Sequence, residues 1–194
     1  MEYPSLDTAK AGAIRFNTDS SQMEIYDGNQ WIGVVSDSPE LHTGGTRGIF
    51  GGGFTQSGNN NRDVIEFFNV DTTGNCADFG NLTSSRRCQG QGAGSRTRGI
   101  FMGGRASPAN RDVIDFITIA STGNAQDFGN LTDGGASNSG QGGNATRAVC
   151  SGGQRGSTGT TKKNIIDFIT IASTGDAVDF GDSTVARITQ TGGL

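Results

Sequence analysis

Histidine is nearly missing from this sequence: one residue, His42, among 194. Hydrolytic triads and the usual zinc sites need a well-placed imidazole, and a lone histidine in a polar stretch supplies neither. Cysteine is almost as scarce. Cys76, Cys88 and Cys150 share no metal-ligand spacing and fall at non-equivalent places of an internal repeat, which excludes a repeated disulfide frame and leaves them as small reduced residues. Helical periodicity is nearly absent, and no apolar run approaches the roughly 20 residues of a membrane helix. Charge is thin as well: fifteen basic against nineteen acidic residues, a formal −4 dispersed along the chain. A nucleic-acid surface would be basic and clustered. The opening "MEYPSLDTAK" has neither the basic start nor the apolar stretch of a secretory signal. These absences lead to the expectation of a soluble protein made in a cytoplasm, with no cofactor, no metal, no nucleic-acid partner and no membrane insertion.

What the chain has in excess is glycine and repetition. Its 33 glycines are more than twice the average share of about 7 per cent, and they lack collagen's third-residue period. "DVIEFFNVDTTGNCADFG" at Asp63–Gly80 returns 49 residues later as "DVIDFITIASTGNAQDFG", and 52 residues after that as "NIIDFITIASTGDAVDFG". The Asp-Phe-Gly triplet holds magnesium in protein kinases, but a catalytic triplet occurs once per site, so three copies mean architecture. Upstream of each block stand "TRGIFGGG", "TRGIFMGG" and "TRAVCSGG", with Arg47, Arg98 and Arg147 separated by 51 and 49 residues. Phe67 to Phe79, Phe116 to Phe128 and Phe168 to Phe180 each span 12 residues, and Gly80 to Arg98 and Gly129 to Arg147 each span 18. All length variation falls after the Gly-Gly doublet, in "FTQSGNNNR", "RASPANR" and "QRGSTGTTKK". Rigid segments with one variable polar connection describe packed elements joined by an exposed loop.

Each unit reads as four short strands, so the fold class is all-β. "VIEFFNV", "VIDFITI" and "IIDFITI" are the strongest, rich in β-branched and aromatic residues, with a single acid (Asp115, Asp167) interrupting the apolar run in the last two. "RGIFGGG" is a short strand ending in glycines, "ADFGNLT" and its copies carry a strand around a repeated Phe, and "GQGAGS" is the faintest of the four. A repeat of about 50 residues with four strands and a Gly-Gly after the second resembles the kelch blade. The resemblance covers residues 46–194 as three repeats, 46–96, 97–145 and 146–194. Kelch blades carry Tyr and Trp where this chain has Phe67, Phe116 and Phe168, and then Phe79, Phe128 and Phe180. The bulk by which one blade presses on the next is kept. Propellers close with about 4 to 8 blades. Three would leave two apolar faces open, which implies more copies: a two-chain, six-bladed ring, or three chains around a three-fold axis as in a β-prism. Closure of the sheet by the first 45 residues is the alternative.

Residues 1–35 differ in character. "AIRFN", "QMEIY" and "QWIGV", separated by "TDSS" and "DGN", read as a three-strand meander too small to be stable alone. Gly12, Ile14, Arg15, Phe16, Asn17, Thr18 and Asp19, followed by Glu24, Ile25, Tyr26, Asp27, Gly28 and Trp31, resemble a short module recurrent in bacteriophage tail-fibre and other virion proteins. The Phe- and Gly-rich repeats behind it also resemble those of marine cyanophage structural proteins. Residues 36–45, with Pro39, read as a linker.

The resemblance implies a virion protein: a tail-fibre, spike or capsid-decoration subunit, a homo-oligomer (dimer or trimer) that contacts other virion proteins and a host-surface glycan or protein. Copper oxidation, known among kelch propellers, needs His and Tyr ligands that one His and two Tyr outside the repeats do not supply. Asp78, Asp127 and Asp179 precede the repeated Phe; threefold repetition favours a turn or inter-strand hydrogen bond over glycosidase chemistry, with Arg47, Arg98 and Arg147 as candidate partners. No catalytic, cofactor or metal residue is assigned. Ligand contact falls to the variable loops, with Asn59, Asn60, Arg62, Arg105, Asn110, Arg111, Arg155, Lys162 and Lys163 as candidates. A cellular kelch-like adaptor for protein or glycan is the alternative, and a carboxylate-based glycan hydrolase a further one.

Overall fold

The computed structural model describes residues 9–18, 22–34, 46–55, 60–87, 92–106, 109–156 and 161–188. Within them the fold is all-β, without a helix, and the chain divides into two compact units, Met1–Glu40 and Leu41–Leu194.

The first unit is the expected meander. Strands β1 (Ile14–Asn17), β2 (Gln22–Tyr26) and β3 (Trp31–Gly33) pair antiparallel in sequence order. The Asp27 carboxylate accepts the amides of Asn29 and Gln30, both at 2.7 Å, which fixes the second turn. Across β1 and β2, Arg15 faces Glu24 at 2.7 Å and Asn17 Nδ2 donates to the same carboxylate at 2.9 Å. The Arg15 guanidinium lies 4.2 Å over the Trp31 ring, which tilts against Tyr26. Arg15, Asn17, Glu24, Tyr26, Asp27 and Trp31 therefore supply the side-chain contacts that hold the meander together.

The second unit stacks three repeat sheets. The first is a meander of β4 (Arg47–Thr55), β5 (Asn60–Asn69) and β6 (Ala77–Asn81). The second runs β7 (Ala93–Gly94), β8 (Arg98–Ala106), β9 (Ala109–Thr118) and β10 (Gln126–Asn130), again in chain order. At the end of the second sequence repeat come β11 (Ala136–Ser137) and β12 (Gly140–Gly143), and the third repeat gives β13 (Arg147–Ser151), β14 (Gln154–Arg155), β15 (Thr161–Lys162), β16 (Ile165–Thr170) and β17 (Val178–Asp182). Strands β12-β13-β16-β17 form its four-stranded sheet, while β11-β14-β15 make a small separate one. The glycine-rich strands β7 and β12, each written at the end of one sequence repeat, hydrogen-bond into the sheet of the next.

The Gly-Gly doublet is a bulge. Gly52–Gly53, Gly103–Gly104 and Gly152–Gly153 all take positive φ, and ladder register shifts at the first two. In the third repeat the same doublet splits the strand, sending β13 and β14 to different sheets. Within each sheet the repeated Phe pair meets edge-on, with centroids 5.9, 5.9 and 5.8 Å apart, worth about 0.5–1.5 kcal/mol per pair beyond burial.

The core sits between successive sheets. Ile65, Phe79 and Leu82 of the first repeat pack on Phe101, Ile117 and Ala125 of the second. Phe116, Phe128 and Leu131 pack in turn with Cys150, Ile169 and Ile171 of the third. Burial raises the Cys150 thiol above its ordinary pKa, and its sulfur lies 3.3 Å from Ser139 Oγ.

Candidate functional site

The most ordered chemistry in the molecule lies at the two junctions between repeat sheets. In each, the acid that interrupts the central strand is fully buried and meets a guanidinium. Asp115 pairs with Arg86 at 2.9 Å and Asp167 with Arg155 at 2.6 Å. Thr83 closes on Asp115 with its hydroxyl at 2.6 Å and its amide at 3.0 Å, and the Thr132 hydroxyl closes on Asp167 at 2.5 Å. Arg86 Nε also donates to Gly103 O at 2.8 Å.

The two guanidiniums come from different places. Arg86 lies six residues after Gly80, in the segment that leaves the first repeat; its counterpart after Gly129 is Gly135. Arg155 belongs to the third repeat's own hairpin, and its counterpart in the second is Ala106. One junction takes its cation from the preceding repeat, the other from its own. Both fill one place.

Backbone contacts repeat with the same regularity. Gly123 N donates to Phe79 O and Gly175 N to Phe128 O, at 2.7 and 2.8 Å. Ala125 N and Ala177 N reach Asn81 O and Asn130 O, each at 2.8 Å. Asn81 N donates to Asn124 Oδ1 and Asn130 N to Asp176 Oδ1. Arg47 and Arg98 do not meet the acids before the repeated Phe. Each lies over its own sheet's Phe67 or Phe116 and donates Nη1 across the junction, to Ile119 O at 2.6 Å and Ile171 O at 2.7 Å. The reason is placement: Asp78, Asp127 and Asp179 are exposed, and Asp179 accepts a local turn bond from Gly181 N at 2.9 Å.

The variable-loop candidates separate into two groups. Asn60, Arg62, Arg111 and Lys162 are exposed near hairpin tips, and Lys163 stands 3.5 Å from Asp133. Arg105 is half-buried, its backbone bridging to Arg87. Arg155 is no loop cation: it is fully buried on Asp167. Asn110 is likewise buried, with Nδ2 on Gln154 O at 2.8 Å. Strand β14 accounts for both: Arg155 lies in it, and Asn110 bonds its Gln154. Asn59, His42 and Cys88 lie outside the described residues, as does the stretch 36–45.

Two shallow clefts of about 300 and 430 Å³ flank the second sheet, one lined by Arg47, Ala93 and Phe101 and the other by Arg96, Arg98 and Ile171. Among the described residues no three His, Cys, Asp or Glu gather as metal ligands. The buried clusters can hold sheets together. Both carboxylate oxygens of Asp115 and of Asp167 are engaged in these contacts.

No protein-family model matches the chain, and no curated protein matches it in sequence.

Proposed function

We propose that this protein is a non-enzymatic structural subunit of a bacteriophage particle, a tail-fibre, spike or head-decoration protein, whose repeat sheets are kelch-like blades with Phe in place of Tyr and Trp. The observation that carries the non-enzymatic reading is the use made of the repeated ionisable residues. Asp115, Asp167, Arg86 and Arg155 are consumed in sheet-to-sheet contacts, and Arg47 and Arg98 cap backbone carbonyls of the neighbouring sheet. The virion reading is supported by the wording of the N-terminal meander, whose Arg15, Glu24, Asp27 and Trp31 form its connected framework. In this reading the meander attaches to the particle, and the exposed tips carrying Asn60, Arg62, Arg111 and Lys162 face a host-surface glycan or a neighbouring protein.

The test is mass spectrometry of purified phage particles from a lysate in which the chain is expressed. The chain is expected to band with the particles through a density gradient at a fixed copy number. Its presence in infected cells but absence from banded particles would transfer it to the cellular-adaptor reading.

A further inference from the structure

The stack ends abruptly on both sides. Phe79 and Phe128 are 3 % exposed beneath the following sheet, while their third-repeat counterpart Phe180 is 57 % exposed. On the opposite face Phe50 is 61 % exposed, against 9 % for its counterpart Phe101. Among the described residues from 46 to 188 the exposed large apolar side chains belong to the first and third repeats. Gly80 and Gly129 lie so close to the next repeat that an added Cβ would strike the backbone of Gly123 or Gly175, whereas the equivalent Gly181 faces open space.

The polar contacts stop with the apolar ones, and each face keeps its half. Arg147 stands over Phe168 at 5.0 Å, as Arg47 and Arg98 stand over their own Phe, but its guanidinium donates to no carbonyl among the described residues. The carbonyl that would match Ile119 O and Ile171 O belongs to Val70, on the first repeat. Arg187 is the counterpart of Arg86, six residues after Gly181 as Arg86 is six after Gly80. Its backbone is already set: Gly153 N donates to Arg187 O at 3.0 Å, as Gly53 N donates to Arg86 O at 3.0 Å. Its side chain is exposed and meets no acid among the described residues. Glu66, the first repeat's counterpart of Asp115 and Asp167, is exposed and meets no cation among the described residues.

The cation exchange between junctions decides what Glu66 requires. The third repeat supplies its own Arg155 because the segment before it carries Gly135. The second supplies Ala106 and takes Arg86 from its predecessor. The first repeat has Thr55 at that position, so its acid needs a guanidinium from outside, and the segment that follows β17 carries one, Arg187.

We propose that the third repeat of one chain docks on the first repeat of a second copy, head to tail, through the same junction the chain uses twice internally. Arg187 meets Glu66 of the second copy, joined by Thr184, the counterpart of Thr83 and Thr132. Phe180 is covered, and Gly74 and Cys76 of the second copy donate to Phe180 O and Asp182 O. Two chains joined at both ends close without a free face, the usual outcome for such contacts. This inference stands whether or not the protein belongs to a particle.

The experiment is size-exclusion chromatography with light scattering across a concentration series, on the full chain and on Glu66→Arg, Arg187→Glu and the double variant. Both positions are exposed, so circular dichroism should be unchanged. The wild type is expected at two chains. Each single variant should raise the dissociation constant by at least about 100-fold, because one charge of a buried pair is left facing its like. The double variant should recover the two-chain mass, and so should an equimolar mixture of the two single variants. A wild type that stays monomeric at every concentration overturns the proposal. So does an oligomer indifferent to the single changes, or one that neither reversal nor mixing restores.

Discussion

At Asp115 the guanidinium arrives from Arg86 and at Asp167 from Arg155, while the matching positions hold Ala106 and Gly135. This reciprocal exchange makes a sharp prediction. Arg86→Gly alone strands a buried carboxylate and should cost about 3–5 kcal/mol. Adding Ala106→Arg rebuilds the arrangement of the following junction and should recover most of that loss, read from denaturant midpoints at unchanged slope. Half of this was legible from the sequence. A lone acid in "VIDFITI" is visible, since an apolar strand excludes charge unless it is paired. Its partner was not, because Arg86 and Arg155 occupy different places in the repeat and an internal alignment registers each as a stray. Arg155 read as a loop cation for the same reason. Nothing local distinguishes an exposed hairpin arginine from one turned inward onto an acid 12 residues away.

For a single strand, worth depends on whether a sheet lies over it. Phe128→Ala on β10 removes a ring buried at 3 % exposure and should destabilise by about 3–5 kcal/mol. Phe180→Ala, the same change on β17, should cost the isolated chain under about 1 kcal/mol, since its ring is already 57 % exposed. Parallel thermal melts of the two variants check the contrast. The N-terminal meander should be acid-sensitive. Hydrogen bonds from Asn17 and then Arg15 hold the Glu24 carboxyl below its ordinary pKa, and the amides of Gln30 and Asn29 do the same for Asp27. A carboxylate with a lowered folded pKa stabilises fully above its unfolded value, and that contribution fades as pH falls through the folded one. Emission from Trp31, the chain's one tryptophan, should therefore hold steady at neutral pH and change below the ordinary carboxylate range, with a weaker dependence in Glu24→Gln. The meander and the strong strands were readable because alternation and turn residues are local signals. The sheet membership of "GQGAGS" was not. Strand β7 has little side-chain signature, and only its ladder to β8 assigns it to the second sheet.

Across the whole molecule, protection should follow position in the stack. The second sheet is covered on both faces, so amides of β8 and β9 should exchange most slowly and those of β4 and β17 faster. A rise in β17 protection with protein concentration would report the uncovered face being taken up. Repeat number was plain in the sequence, and counting led to the expectation of a further covering; the residues proposed to meet there emerged only from comparing one junction with the next.

Similar repeats invite folding errors, since a sheet can be skipped or taken from a neighbouring chain. The split in cation supply acts as a check on order. A segment bearing Arg86 or Arg187 placed before the third sheet would crowd a second guanidinium onto Arg155. The segment bearing Gly135 placed before the first or second sheet would leave an acid bare. The sheets are similar enough to share one fold, yet only certain orders of them stack without a charge out of place.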